Sequence, residues 1–259
     1  MIRLDKYLCD MGEGTRSRVK ELIRRGQVEV NGTVEKKPDR RLDENGDQVC
    51  VCGRQISYSR YVYLLLNKPA GIVSATQDNR ERTVLDWVRE QAPGNPLLLR
   101  PLFPVGRLDK DTEGLLLLTD DGGLSHRLLA PEKHVEKTYY VRIDGPLDGA
   151  QLQALEAGVE IGEAKRTRPA RIRPATASRG CGTVSAKSGE TAWYLTITEG
   201  KFHQVKRMMQ AVGRKVVYLR RVAMGPLTLE DTLPVGAFRE LTEQERTALH
   251  TGGEADEHV

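Results

Sequence analysis

The sequence predicts an α+β protein in two unequal parts: a small N-terminal α/β module, then a larger domain with a mixed, mostly antiparallel sheet and flanking helices. Three observations carry that prediction. The 259 residues suffice for two cores of different size. Strand-like and helix-like segments follow one another without the period of a solenoid or the rhythm of a doubly wound sheet. The opening segment has its own order of helix, helix, hairpin, unlike anything after it. The expected boundaries are 1–60 for the module, 61–249 for the larger domain and 250–259 for a polar, mobile tail.

In the module, Leu4, Tyr7 and Leu8 recur at helical spacing, and Thr15 is placed to cap a second helix ending at Gly26. Gln27 to Val34 alternates around Asn31-Gly32, a strong hairpin signal. Between Arg16 and Arg41 stand nine basic residues against four acids. Five of them, Arg16, Arg18, Lys20, Arg24 and Arg25, belong to the second helix, where charge alone fits a solvated face as well as an RNA contact.

A linker near Gly53 to Arg60 precedes Tyr61 to Leu66, which reads as a buried strand stopped at Asn67-Lys68-Pro69. Thr83 to Asp86 has the spacing of a capping box and opens a helix to about Gln91, broken by Pro93-Gly94-Asn95-Pro96. Leu115 to Thr119 is a short strand, Leu124 to Ala130 a helix stopped by Pro131, and Lys137 to Ile143 another strand. Thr191, Trp193, Leu195 and Ile197 share a strand face, Phe202 to Val212 forms a helix closed by Gly213, and Lys215 to Met224 is strand-like. Arg179 to Glu190, which contains glycine and serine, reads as an insertion, either a mobile loop over a ligand or an inert hairpin, with the inert hairpin favoured.

Composition narrows the function classes. With 39% hydrophobic and 29% charged residues the chain is globular, not disordered. No apolar run approaches the roughly 20 residues that span a bilayer. Met1 to Lys6 lacks the apolar stretch of a signal peptide, so a cytoplasmic protein without a membrane partner is expected. Cys9, Cys50, Cys52 and Cys181 are too scattered for a disulfide framework, and Cys50-Val51-Cys52 is misspaced for a zinc knuckle. Reduced thiols and no metal are expected. A monomer is the default.

Gly106-Arg107-Leu108-Asp109-Lys110-Asp111-Thr112-Glu113-Gly114 places a carboxylate in a turn before a buried strand, with glycines on both sides. From the residues alone Asp109 reads as a turn or cap residue, and Asp111, Asp120 and Asp121 are equally eligible.

Two resemblances decide among them. Arg3 to Leu8, Thr15 to Arg18 and Gly26 to Gly32 resemble the S4 RNA-binding domain, which implies that the basic second helix grips structured RNA through phosphates. Gly106-Arg107-Leu108-Asp109, with Thr112, Gly114, Leu115 and Leu116, is similar to the signature of the pseudouridine synthases of the RsuA and RluA type. Further blocks match in order: Leu66 to Gly71, Glu136 to Tyr139, and Glu199 to Met208. The resemblance covers nearly the whole chain to about Leu241.

It implies that Asp109 is the catalytic carboxylate, Tyr139 the active-site tyrosine and Lys206 the basic partner. Isomerising uridine needs no oxidant and loses no group, so no cofactor is implied. An ionised carboxylate can act as nucleophile at the sugar or as base at the neighbouring carbon. A nearby lysine keeps it charged. On an ideal helix Val205, Met208, Met209 and Val212 share one face, with Lys206 at its edge. A tyrosine ring can stack on an extruded uracil at roughly 1–3 kcal/mol, and its neighbour Tyr140 should then face the core or solvent. Arg107 is the first candidate for RNA contact, followed by His203, Gln204 and Arg207, in a segment from Gly200 to Arg221 with seven Lys or Arg and no acid.

The His203 to Met208 block, Ser74 to Asp78 and Thr83 to Leu85 resemble the small-subunit group of that family. The implied substrate is 16S ribosomal RNA, free or in an assembling small subunit, modified at uridine 516 in the usual rRNA count. The alternatives are a 23S rRNA synthase of the same family and a noncatalytic S4-type ribosome-binding protein. An S4-bearing aminoacyl-tRNA synthetase would require nucleotide-binding signatures that the sequence lacks.

Overall fold

The computed structural model describes residues 1–44, 46–56, 58–175 and 189–251. Most of the 179–190 insertion, and the tail beyond Thr251, lie outside the described residues. The chain divides into two compact units. One comprises Met1–Val62 with Arg89–Leu102, the other Tyr63–Val88 with Phe103–Val259.

In the first unit β1 (Ile2–Arg3) leads into α1 (Leu4–Asp10) and α2 (Arg16–Arg24). The Thr15 hydroxyl caps α2 by accepting from the Arg18 backbone N–H at 3.4 Å. There follow β2 (Val28–Val30), β3 (Thr33–Val34), β4 (Arg41–Leu42), β5 (Val49–Val51) and β6 (Arg54–Ile56). Four of these strands form an antiparallel sheet in the order β3-β2-β5-β6, while β4 pairs with β1. The hairpin turns where expected, at Asn31 (φ 53°) and Gly32 (φ 74°), the pair of left-handed residues a two-residue turn of this hand demands. Leu4, Tyr7, Leu8, Val19, Ile23, Val28 and Leu42 build the core. The buried Tyr7 hydroxyl donates to the Ile56 carbonyl at 2.7 Å, so burial strands no donor.

The sequence did not foretell that residues 89–102 belong with this unit. Arg100 explains it: its guanidinium donates to the carbonyls of Asp10 and Ser59 at 3.1 Å and of Arg60 at 2.6 Å. Pro96 also packs so close to Gly12 (φ +74°) that any Cβ there would collide with it.

The second unit carries β7 (Tyr63–Lys68), the first part of α3 (Val84–Gln91, counted with the first unit from Arg89 on), β8 (Phe103–Pro104), β9 (Glu113–Thr119), α4 (Gly122–Leu129), β10 (Lys137–Ile143) and α5 (Gly149–Ala157). It continues with β11 (Arg171–Pro174), β12 (Thr191–Ile197), α6 (Gln204–Ala211), β13 (Val216–Met224), β14 (Leu227–Thr228), β15 (Phe238–Glu240) and α7 (Glu243–Thr251). Seven strands line up as β11-β12-β10-β13-β9-β7-β15, with β14 beside β13 and β8 beside β9. Every pairing is antiparallel except β13 with β9, so the sheet is mixed and mostly antiparallel, the α+β architecture expected. Leu64 to Leu66 and Leu115 to Leu118 are fully buried. The capping box forms: the Thr83 hydroxyl accepts from the Asp86 N–H at 3.1 Å, and the Asp86 carboxylate from the Thr83 N–H at 3.0 Å.

The parallel pairing positions the site. Parallel neighbours start at the same edge, so the segments preceding β9 and β13, the Asp109 loop and α6, emerge side by side. In the ladder Arg221 lies opposite Gly114 on one side and Tyr139 on the other. Gly114 has φ +103°, and a Cβ there would run into the Arg221 carbonyl, so the close crossing of these strands requires glycine.

Candidate active site

The turn carrying Asp109 is held from below. The buried ammonium of Lys68 donates to four backbone carbonyls: Pro69 at 3.0 Å, Asp109 at 3.2 Å, Lys110 at 3.3 Å and Thr112 at 2.9 Å. The Ser74 hydroxyl and Leu108 exchange hydrogen bonds at 3.0 and 3.1 Å, and the Gly71 N–H donates to the Lys110 carbonyl at 2.7 Å. Burial pushes the Lys68 pKa down to about 8, against the attraction of Asp111, Glu113 and Asp109. The turn is thus an anchored ledge.

Across from it, α6 delivers Lys206. Val205, Met208 and Met209 are buried and fix the helix face, leaving Lys206 at the edge as its position implies. Its Nζ lies 2.9 Å from Asp109 Oδ2 and 2.6 Å from Asp111 Oδ1. Burial works against the ammonium, but hydrogen bonds to Asp111 and Asp109 outweigh it and raise the Lys206 pKa above its ordinary value. The Asp111 carboxyl is lowered, first by its hydrogen bond to Lys206. The two carboxylates differ in surroundings. Asp111 is 73% exposed and lies outside the cavity, whereas Asp109 is 25% exposed and lines it. Asp121, also eligible by sequence, caps α4 and accepts from the Tyr63 hydroxyl at 2.8 Å.

The helix starts two residues later than the sequence suggested, because His203 takes a left-handed conformation (φ 49°) and breaks the helical path. That kink turns its Nε2 to 3.5 Å from Asp109 Oδ1 and stacks its ring on the exposed Phe202, 3.8 Å between centroids.

Asp109 and His203 line a cavity of about 830 Å³, a common size for a small-ligand site. Tyr139 lines it too, whereas Tyr140 faces the other way and packs edge-on against Tyr194 and Tyr218, with centroids 5.7 and 6.1 Å away. Arg107 is exposed on the cavity wall.

Two of the sequence-chosen RNA residues are engaged within the protein. Gln204 is 4% exposed, with its amide donating to Glu199 at 2.8 Å and accepting from the Lys201 N–H at 2.8 Å. Arg207 pairs with Glu163 at 2.8 Å and donates to the Phe202 and Ile161 carbonyls. On α2, Arg16, Arg18, Arg24 and the following Arg25 are exposed and Lys20 is half-buried, with Arg18 and Arg25 both reaching Glu21.

Sequence reading passed over Lys68, Ser74, Lys137 and Arg221. A lysine continuing an apolar run is the signal for Lys68, yet its polar end reads as the end of the strand. In fact β7 runs through Asn67 and Lys68, and Asn67 donates to the Leu233 carbonyl at 2.8 Å.

Comparison with known proteins gives concordant results. Residues 62–211 match the family model described as RNA pseudouridylate synthase, and residues 2–49 that of the S4 domain. The chain is similar to a protein of Bacillus subtilis (strain 168) named as an uncharacterized RNA pseudouridine synthase: 44% identical over 96% of this chain and 98% of that one. It is 38% identical, over 96% of its length and 99% of the relative, to ribosomal small subunit pseudouridine synthase A of Vibrio cholerae serotype O1 (strain ATCC 39315 / El Tor Inaba N16961). It is 36% identical, over 95% and 94%, to ribosomal large subunit pseudouridine synthase B of Bacillus subtilis (strain 168). A solved structure described as a pseudouridylate synthase superposes with a TM-score of 0.61 at 33% identity, covering 96% of this chain and all of that one.

Proposed function

The chain belongs to the RNA pseudouridylate synthase family and carries an S4 domain, and from that premise we propose that it isomerises uridine 516 of 16S ribosomal RNA with Asp109 as the essential carboxylate. The observation that carries this reading is the Asp109–Lys206 pair, 2.9 Å apart, beside a cavity that Tyr139 also lines.

A uridine in folded RNA must leave its stack to reach such a cavity, at a cost of a few kcal/mol. Tyr139 offers a ring for the extruded base, Arg107 a cation for its backbone, and the exposed arginines of α2 a further hold on RNA. The reaction breaks the bond from N1 of uracil to C1′ of the sugar and rejoins the sugar to C5. Asp109 acts as nucleophile at C1′ or as base at C2′. Both use the carboxylate, which has the Lys206 ammonium 2.9 Å away. The anchoring of the turn by Lys68 keeps the carboxylate oriented without reorganisation during the step. Tyr139 lines the same cavity, and its hydroxyl is the group proposed for proton transfer at C5.

The small-subunit target draws support from the His203 to Met208 block and from the Vibrio cholerae relative. The large-subunit relative at 36% identity favours a 23S site as the second reading. Mapping pseudouridines in ribosomal RNA from cells with and without the protein separates them. Loss at uridine 516 is the expected result, loss at a 23S site would transfer the assignment, and an unchanged map would defeat both.

A further inference from the structure

Two buried cations on the cavity wall have no part in the chemistry above. Lys137 opens β10, is 8% exposed and lines the cavity, two residues from Tyr139 and so on the same face of the strand. Its ammonium donates to the Val135 carbonyl at 2.9 Å, leaving two of its three N–H bonds uncommitted among the described residues. Arg221, across the ladder from Tyr139 and 2% exposed, lines the same cavity. Its Nε donates to the Leu115 carbonyl at 2.8 Å, while its buried Nη2 has no hydrogen-bond partner among the described residues.

Neither side chain pairs with a carboxylate among the described residues. Lys206 has two carboxylates within reach and Lys68 has four carbonyls, so this pair differs from the other cations of the site. Burial, and then the nearby Arg221, push the Lys137 pKa down to about 8. Two like charges held out of water with no counterion are costly. A ligand carrying negative charge would supply what the wall lacks.

The reaction makes such a charge. On the synthase reading, on which this inference rests, breaking N1–C1′ sends the bonding electrons to N1 and turns uracil into an anion whose charge spreads to its carbonyl oxygens. C1′ is captured by the Asp109 carboxylate, or C2′ gives a proton to it that is later returned. The base then turns and C5 bonds to C1′, as the bond from C1′ to the Asp109 carboxylate breaks or C2′ regains its proton; the C5 proton leaves and N1 gains a proton. We propose that Lys137, backed by Arg221, holds the carbonyl oxygens of the uracil and stabilises the base while it is anionic. A phosphate suits this wall less well, because Lys137 and Arg221 are buried beside Tyr139, whereas the exposed Arg107 is the cation open to a nucleic-acid backbone.

The test compares leaving groups. Full-length wild type, Lys137→Met and Lys137→Arg are run under single turnover on a ribosomal RNA fragment carrying the reacting nucleotide as uridine or as 5-fluorouridine; the rate read on both is loss of the N1-linked nucleotide, since C5 of 5-fluorouridine has no proton to release, and RNA affinity is measured separately. Fluorine stabilises the uracil anion by itself and lessens the need for a protein cation. Lys137→Met is expected to lose on the order of 100-fold on uridine and clearly less on 5-fluorouridine, with RNA affinity unchanged and partial recovery in Lys137→Arg. Equal losses on both substrates, or a loss of affinity that accounts for the rate, would overturn the role and point to a phosphate contact. If Lys137→Met does not fold, Arg221→Lys carries the same comparison, with a larger loss on uridine expected and equal losses overturning it. Wild type that rearranges neither RNA defeats the synthase reading itself; wild-type turnover with substrate-independent losses defeats only the role of Lys137.

Discussion

The basic residues of α2 and those around Asp109 carry the same charge in opposite settings. Arg16, Arg18, Arg24 and Arg25 stand in solvent, and the acid that two of them reach, Glu21, is only half-buried, so these contacts are worth little and are easily exchanged for phosphates. Lys68, Lys137, Lys206 and Arg221 are buried or partly buried, and each is fixed by named acceptors. Exposed cations give affinity that salt can screen. Buried cations give position and field, which salt barely reaches. The proposed division of labour follows: α2 holds RNA, and the cations of the second unit set up the chemistry.

That contrast can be broken by substitution, starting where the effect is largest. Lys206→Met removes the cation 2.9 Å from Asp109 and is expected to lower the single-turnover rate by on the order of 10²- to 10³-fold, with RNA binding nearly intact. A rate within a few-fold of wild type would mean that Lys206 serves Asp111 instead. Lys68→Met frees the four carbonyls of the turn, and a misplaced carboxylate should cost about 100-fold in kcat. Unaltered kcat would show that Ser74 and Gly71 suffice to hold the ledge. Replacing Arg16, Arg24 and Arg25 together with alanine should act in the opposite manner: weaker binding to long RNA, a salt dependence shallower by about one unit of slope per lost phosphate contact, and unchanged rate at saturation. A rate defect at saturating RNA would dissolve the distinction between the two regions.

The parts of this arrangement that were legible in the sequence are those determined locally. The Asn31-Gly32 turn, the Thr83–Asp86 capping box and the bounds of β10 follow from residue types within a few positions of one another. What escaped was determined at a distance. Asn67 and Lys68 look like the end of a strand because the carbonyls that take up the Asn67 amide N–H and the Lys68 ammonium lie far along the chain, at Leu233 and from Asp109 to Thr112. Arg221 looks like one more RNA-facing cation, yet it is buried with its Nε on the Leu115 carbonyl. α5 went unread because only Leu155 of its residues is buried, which leaves no apolar stripe. In the site itself, the motif singled out Asp109, but the reason it differs from Asp111 is burial beside the cavity, which no spacing encodes.

The account turns on Asp109, and the most direct measurement is pseudouridine formation by Asp109→Asn on a 16S ribosomal RNA fragment that wild type converts, alongside RNA affinity. The amide keeps the shape of the carboxylate but can neither attack the sugar nor take its proton. No product, with affinity close to that of wild type, is the predicted result. Product formed at the wild-type rate would contradict the assignment of Asp109 as the essential carboxylate.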